Sequence, residues 1–109
     1  MLRLLSYSFG TLLFLSSIAC AQEPSSAEHG AQLFKQCAGC HGADGRNKAF
    51  GKSGIIAGQS AEDLMESIKF YRESEFKAHG TSLVMSKQTK NMSPQDISDV
   101  AHYISKLPK

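Results

Sequence analysis

Two cysteines three positions apart, Cys37 and Cys40, with His41 directly after the second, are the residues of this chain best placed to do chemistry. They lie in "FKQCAGCHGADG", residues 34–45. Three chemistries use such a group: a redox dithiol, a zinc site or a covalently held haem. Zinc wants about four ligands, and beyond this trio the chain offers only His29, His79 and His102, none in a second paired spacing. A thioredoxin-like dithiol belongs at a strand end that opens a helix, whereas here the pair follows a helical pattern and leads into glycines. A c-type haem uses every member of the group. Each thiol adds to a vinyl group to form a thioether, and the adjacent imidazole becomes the proximal iron ligand. The residues therefore point to one haem c, with its iron, attached through Cys37 and Cys40 and ligated by His41.

Haem iron in electron-transfer proteins is usually six-coordinate, so a distal ligand is expected from distant sequence. The candidates are Met65, Met85, Met92, His29, His79 and His102. Met92 directly precedes a helix start and reads as a hydrophobic staple on Ile97. Met65 falls inside a helix beside Leu64 and reads as packing. His29 sits too near a helix start to swing round, and His102 lies off the apolar stripe of its helix. His79, before Gly80 in a loop, stays open as an alternative. Met85 has no such structural explanation, being a thioether in "LVM", the one apolar island of the polar segment 76–91. It is the favoured distal ligand. Against two histidines, a His/Met pair favours Fe(II) and raises the potential.

The elements that must position these residues read as helices. Ser25 with Glu28 forms a capping box for a first helix, whose apolar face of Ala27, Gly30, Ala31, Leu33 and Phe34 ends close to Cys37. Residues 39–58 hold six of the nine glycines and read as an irregular loop that wraps something. Ser60 and Asp63 cap a second helix, with Leu64, Ile68 and Tyr71 at helical spacing and an end around 72–75. Segment 76–91 lacks a period and reads as loop. Ser93 and Pro94 open a last helix, striped by Ile97, Val100, Ala101 and Ile104 and closed at Leu107 and Pro108. Nothing alternates as a strand would. The fold class is all-α, three main helices with long loops around one covalently attached haem.

The N-terminus reads as a secretory signal peptide over 1–21: Arg3 supplies the early charge, 12–18 the short apolar run, and Ala19 and Ala21 an A-x-A site. A rival reading acylates Cys20, which would anchor the protein to a membrane. Residues 22–27 form a polar leader and 28–109 the domain. After cleavage 88 of the 109 residues remain, a length at which an all-protein core is marginal. The haem's apolar face relieves that shortage. Acids and bases are then almost balanced, which gives no support to nucleic-acid binding.

Taken together, "GAQLFKQCAGCHGADG", "IIAGQSAEDL", "LVMSKQTKNMSPQDISDVAHYIS" and "KLPK" resemble class I cytochromes c, in particular the short soluble monohaem type of the bacterial periplasm. The resemblance spans nearly all of the chain after residue 21. It implies the class I cytochrome c fold, axial ligation by His41 and Met85, and a tight crossing of first and last helices at Gly30, Phe34 and Tyr103. Where the family often has a proline whose carbonyl accepts the ring N–H of the proximal histidine, this chain has Gly54. The expected function is electron transfer in the periplasm, a one-electron carrier cycling Fe(III)/Fe(II) between a respiratory donor such as a quinol-oxidising complex and a terminal oxidase or reductase. No enzyme activity, small-molecule substrate or catalytic residue is expected. The protein is expected to be a monomer that meets redox protein partners transiently, with Lys48, Lys52, Lys77, Lys87 and Lys90 contributing to docking. Rival readings are a small-ligand sensor in which the Met85 bond gives way, and an open iron acting on peroxide. The island around Met85 has no Arg/His pair to support the second.

Overall fold

Ser93 and Asp96 start the last helix in the way their types dictate. The Ser93 hydroxyl accepts from the Asp96 amide at 3.0 Å, and the Asp96 carboxylate accepts from the Ser93 amide at 2.9 Å, with Pro94 at the first helical position. The structure, a computed structural model, describes residues 10, 26–74 and 81–109. In it four α-helices follow in order: α1 Ser26–His41, α2 Ala61–Glu73, α3 Thr81–Thr89 and α4 Pro94–Ser105, with a 3-10 turn at Ala49–Gly51. No strand occurs among the described residues.

In α4, Ile97, Val100, Ala101 and Ile104 are buried as the stripe required. In α2 the Ser60 hydroxyl accepts from Asp63 N at 3.1 Å, Leu64 and Ile68 go inward, and the helix stops at Glu73 with Ser74 as its cap. These residues join Phe34 of α1 in one core, and Met65, Met92, Tyr103 and Leu107 pack against it. Each large apolar side chain so buried contributes about 1.5–3 kcal/mol.

The first helix runs further than its apolar pattern suggested: both cysteines lie inside α1, and the helix ends at His41. Gly42 stops it. With φ of 81° Gly42 takes the left-handed turn, and its N–H reaches the Ala38 carbonyl at 2.9 Å, the αL cap for which glycine is suited. Ser25, the expected N-cap, lies outside the described residues.

Helices α1 and α4 touch backbone to side chain. A Cβ on Gly30 would fall 2.3 Å from the Asp99 carbonyl oxygen, and the Phe34 and Tyr103 rings meet at 5.3 Å. Glycine is therefore required at 30 by proximity, not by φ.

Segment 81–89 corrects the expected loop, and among the described residues the count of main helices rises from three to four. Its period was hidden because the face it buries is polar. Ser86 is 0% exposed and Thr89 is buried, with the Thr89 hydroxyl turned back onto the Met85 and Ser86 carbonyls at 2.9 and 3.3 Å.

The loop from 42 to 60 is irregular, as expected, but tied down. Ile56 and Ala57 amides both donate to the Gly45 carbonyl, and the Gly58 amide donates to Ile104 O at 3.2 Å. The loop is thus anchored to the end of α4. Among the described residues no helix is long and apolar enough to cross a membrane.

Candidate functional site

Because α1 continues through the motif, Cys37 and Cys40 sit one helical turn apart, a spacing that puts both thiols on one side of the helix. Neither is in a disulfide. Cys37 is half-buried against the core, its thiol facing the Leu33 carbonyl at 3.9 Å, and burial pushes that thiol up to about 11. Cys40 is exposed.

His41 closes the helix and is 6% exposed. Burial lowers its pKa, which favours the neutral imidazole, the form with a lone pair to give a metal. Its Nδ1 is buried with no hydrogen-bond partner. A buried polar atom left without a partner costs about 1–3 kcal/mol, so this side chain has an unmet bonding need. Two thiols on one side of a helix and a neutral, uncommitted imidazole next to them fit a covalently held haem. Among the described residues no three His, Cys, Asp or Glu side chains gather as a metal set.

The Gly54 carbonyl does not serve His41. It accepts instead from the Ser53 hydroxyl at 3.1 Å, while that same hydroxyl accepts from Ala49 N at 2.8 Å. This small knot turns Gly54 to the surface, where it is exposed, away from a buried ring.

Met85 lies on α3 and is half-buried with Leu83 and Val84. These three stand apart from the core cluster, whereas Met65 and Met92 pack on it. Being consecutive, they point about 100° apart around the helix and form no single face, so Met85 stands as a candidate on its own. Of the rival ligands, His29 is held by Asp99, and the His102 ring donates Nδ1–H to the Ser98 carbonyl at 2.7 Å. His79 lies outside the described residues.

Two polar features escaped the sequence reading because their partners are far apart along the chain. His29 Nδ1 meets the Asp99 carboxylate at 2.7 Å across the α1–α4 crossing, and Gln95 donates to its other oxygen at 2.7 Å. The His29 hydrogen bond above all holds the Asp99 carboxyl below its ordinary value, against the opposing effect of burial. Arg72 of α2 reaches the Met92 carbonyl at 3.1 Å. Neither pairing leaves a local sequence signal.

The family model described as cytochrome c matches residues 27–108. Cytochrome c-553 of Nitratidesulfovibrio vulgaris is 34% identical over 92 residues, covering 84% of this chain and 89% of that protein. Cytochrome c-553 of Helicobacter pylori is 36% identical over 75 residues, covering 69% of this chain and 74% of that one. Among solved structures, reduced recombinant cytochrome c4 from Pseudomonas stutzeri superposes with a TM-score of 0.66 at 25% identity, over 79% of this chain and 50% of that chain. Cytochrome c4 of Acidithiobacillus ferrooxidans gives 0.63 at 23% identity, over 81% and 53%, and shows the fold alone. This chain spans about half the length of both c4 structures.

Proposed function

This chain belongs to the cytochrome c family, and we propose that it serves in the periplasm as a one-electron carrier between a respiratory donor such as a quinol-oxidising complex and a terminal oxidase or reductase. Membership makes it an electron-transfer haem protein with one covalently attached haem c and its iron, and Cys37 and Cys40 fit the attachment motif. When bound, the haem supplies a one-electron Fe(III)/Fe(II) couple.

The chain's own residues do the rest. Cys37 and Cys40 hold the group by two thioethers from the last turn of α1. His41 offers its neutral ring as the proximal ligand, and the burial of that ring excludes water from it. Met85 would be the distal ligand. With His41 and Met85 both bound to the iron, no place would remain for a substrate, and no catalytic residue is assigned. Lys48, Lys52, Lys87 and Lys90 are exposed and steer acidic redox partners into brief encounters; Lys77 lies outside the described residues. The protein works as a monomer. The short apolar run before Ala21 supports export, with domain 28–109 acting in the periplasm, and acylated Cys20 is the alternative route to the same compartment.

One observation carries this reading: Met85 is half-buried on α3 outside the core that takes in Met65 and Met92, in a chain whose α1 ends on a buried His41 beside two free thiols. The test is optical. A low-spin c-type spectrum in the reduced form, and in the oxidised form a thioether-to-iron charge-transfer band that vanishes in Met85→Ala, are expected. A high-spin spectrum, or rapid CO binding by the wild type, would sink the carrier reading in favour of the sensor.

A further inference from the structure

The helix that bears Met85 has little of its own to hold it. α3 is nine residues long, short of the ~12–15 at which isolated helices become stable. It has no apolar stripe, and it buries Ser86 and Thr89 instead. Its place is set from outside. The Thr89 hydroxyl donates to Met85 O at 2.9 Å and the Met92 amide donates to Thr89 O at 3.1 Å, so the turn leaving α3 is closed onto the turn that bears Met85. Arg72, in the last turn of α2, donates Nη1–H to the Met92 carbonyl at 3.1 Å and ties that turn to α2. Gln36 of α1 reaches the Gln88 carbonyl at a long 3.5 Å, a far weaker tether. The other arm of Arg72 has Glu73 at 3.7 Å, an exposed carboxylate whose pull is slight. A cation here also suits the C-terminal end of α2, and reaching a carbonyl on another element needs a long side chain with a donor at its tip.

We propose that Arg72 is a positioning residue for Met85, its hydrogen bond to the Met92 carbonyl holding α3 where Met85 serves as the distal ligand. The inference rests on the reading of Met85 as that ligand. Arg72 acts through the turn at 89–92. Without it α3 lifts more often, and a competing ligand takes the vacated place.

The experiment titrates the oxidised haem-loaded protein with imidazole and follows the thioether-to-iron charge-transfer band in the wild type, Arg72→Met, Arg72→Lys and Met85→Ala. Arg72→Met keeps the apolar stem and removes the donors. Imidazole is expected to displace the thioether roughly tenfold more readily in Arg72→Met, the effect of one hydrogen bond from a charged donor discounted for partial exposure. Arg72→Lys, which restores a donor and the charge, is expected to recover most of that difference. An imidazole affinity within about twofold of wild type in Arg72→Met with helical content intact overturns the proposal, because that is the scatter of independent sites. Arg72→Lys behaving like Arg72→Met overturns it too. Should Arg72→Met fail to fold, Arg72→Gln, which keeps a neutral donor, is judged by the same limit. Survival of the band in Met85→Ala removes the ligand reading and this inference with it. Loss of the band there, with imidazole affinity unmoved in Arg72→Met, removes this inference alone.

Discussion

Replacing Gly30 by alanine sets two effects of opposite sign against each other. In a helix interior alanine gains about 1 kcal/mol over glycine. The new Cβ, however, would lie 2.3 Å from the Asp99 carbonyl oxygen, 2.9 Å from its carbonyl carbon and 3.0 Å from Tyr103 Cβ, where ordinary contact begins near 3.4 Å, so α1 must back off α4 by about 1 Å. Two of the three obstacles are backbone atoms and cannot swing aside. Overpacking of this kind costs about 1–3 kcal/mol. The separation also loosens the Phe34–Tyr103 ring contact at 5.3 Å, worth about 0.5–1.5 kcal/mol, and stretches the 2.7 Å His29–Asp99 bond. The loss wins, and the net destabilisation is about 2 kcal/mol. Guanidinium unfolding of the haem-loaded protein, followed by far-ultraviolet circular dichroism and by haem absorbance, should show a lower midpoint at unchanged slope. A Gly30→Ala protein as stable as wild type, or more stable by its helix propensity, refutes the close crossing.

Asp99 gives a pH dependence. Its folded carboxyl is depressed from an ordinary 3.8, chiefly by His29, so the stability it adds is present above that pH and lost as pH falls through the folded value. Asp99→Asn should therefore cost about 1–2 kcal/mol at pH 7, with the gap to wild type closing as the pH falls below 3.8 through the folded value; a gap that persists once the carboxyl is protonated contradicts the assignment. Ser93→Ala, which removes the hydroxyl half of the α4 capping box, should cost about 1 kcal/mol, measured by the same unfolding midpoint. Ser86→Ala should be neutral or stabilising, because the Ser86 hydroxyl is buried with no partner, and a loss above about 1 kcal/mol would reveal one. Cys37→Ala with Cys40→Ala should leave a largely unfolded chain, and cooperative thermal unfolding of that variant without haem would show that the protein core suffices.

The sequence made α2 and α4 plain because their caps and stripes are local: Ser60 with Asp63, Ser93 with Asp96, and Ile97 through Ile104 each lie within a few turns of one another. The attachment motif was equally plain, since three adjacent side chains define it. α3 was invisible for a physical reason. Its buried face is made of Ser86 and Thr89, so hydropathy carries no period, and the helix is held by its neighbours rather than by its own composition. Whether the Gly54 carbonyl serves the His41 ring was not legible, because a loop carbonyl's direction depends on Ser53, whose hydroxyl donates to Gly54. His29 with Asp99, and Arg72 with Met92, are contacts between helices that no local window contains.

The α1–α4 crossing also bears on the order in which the molecule assembles. His29 and Asp99 are separated by 70 positions, and closing such a loop costs roughly 4 kcal/mol of chain entropy by the logarithmic law, before the contacts inside it repay anything. Contacts of that span make for slow folding. A group fastened at Cys37 and Cys40, and gripped by Met85 on the proposed reading, bypasses the residues between them. The effective loop left for the crossing to close is then far shorter, so the haem-loaded chain searches less before its first and last helices find each other.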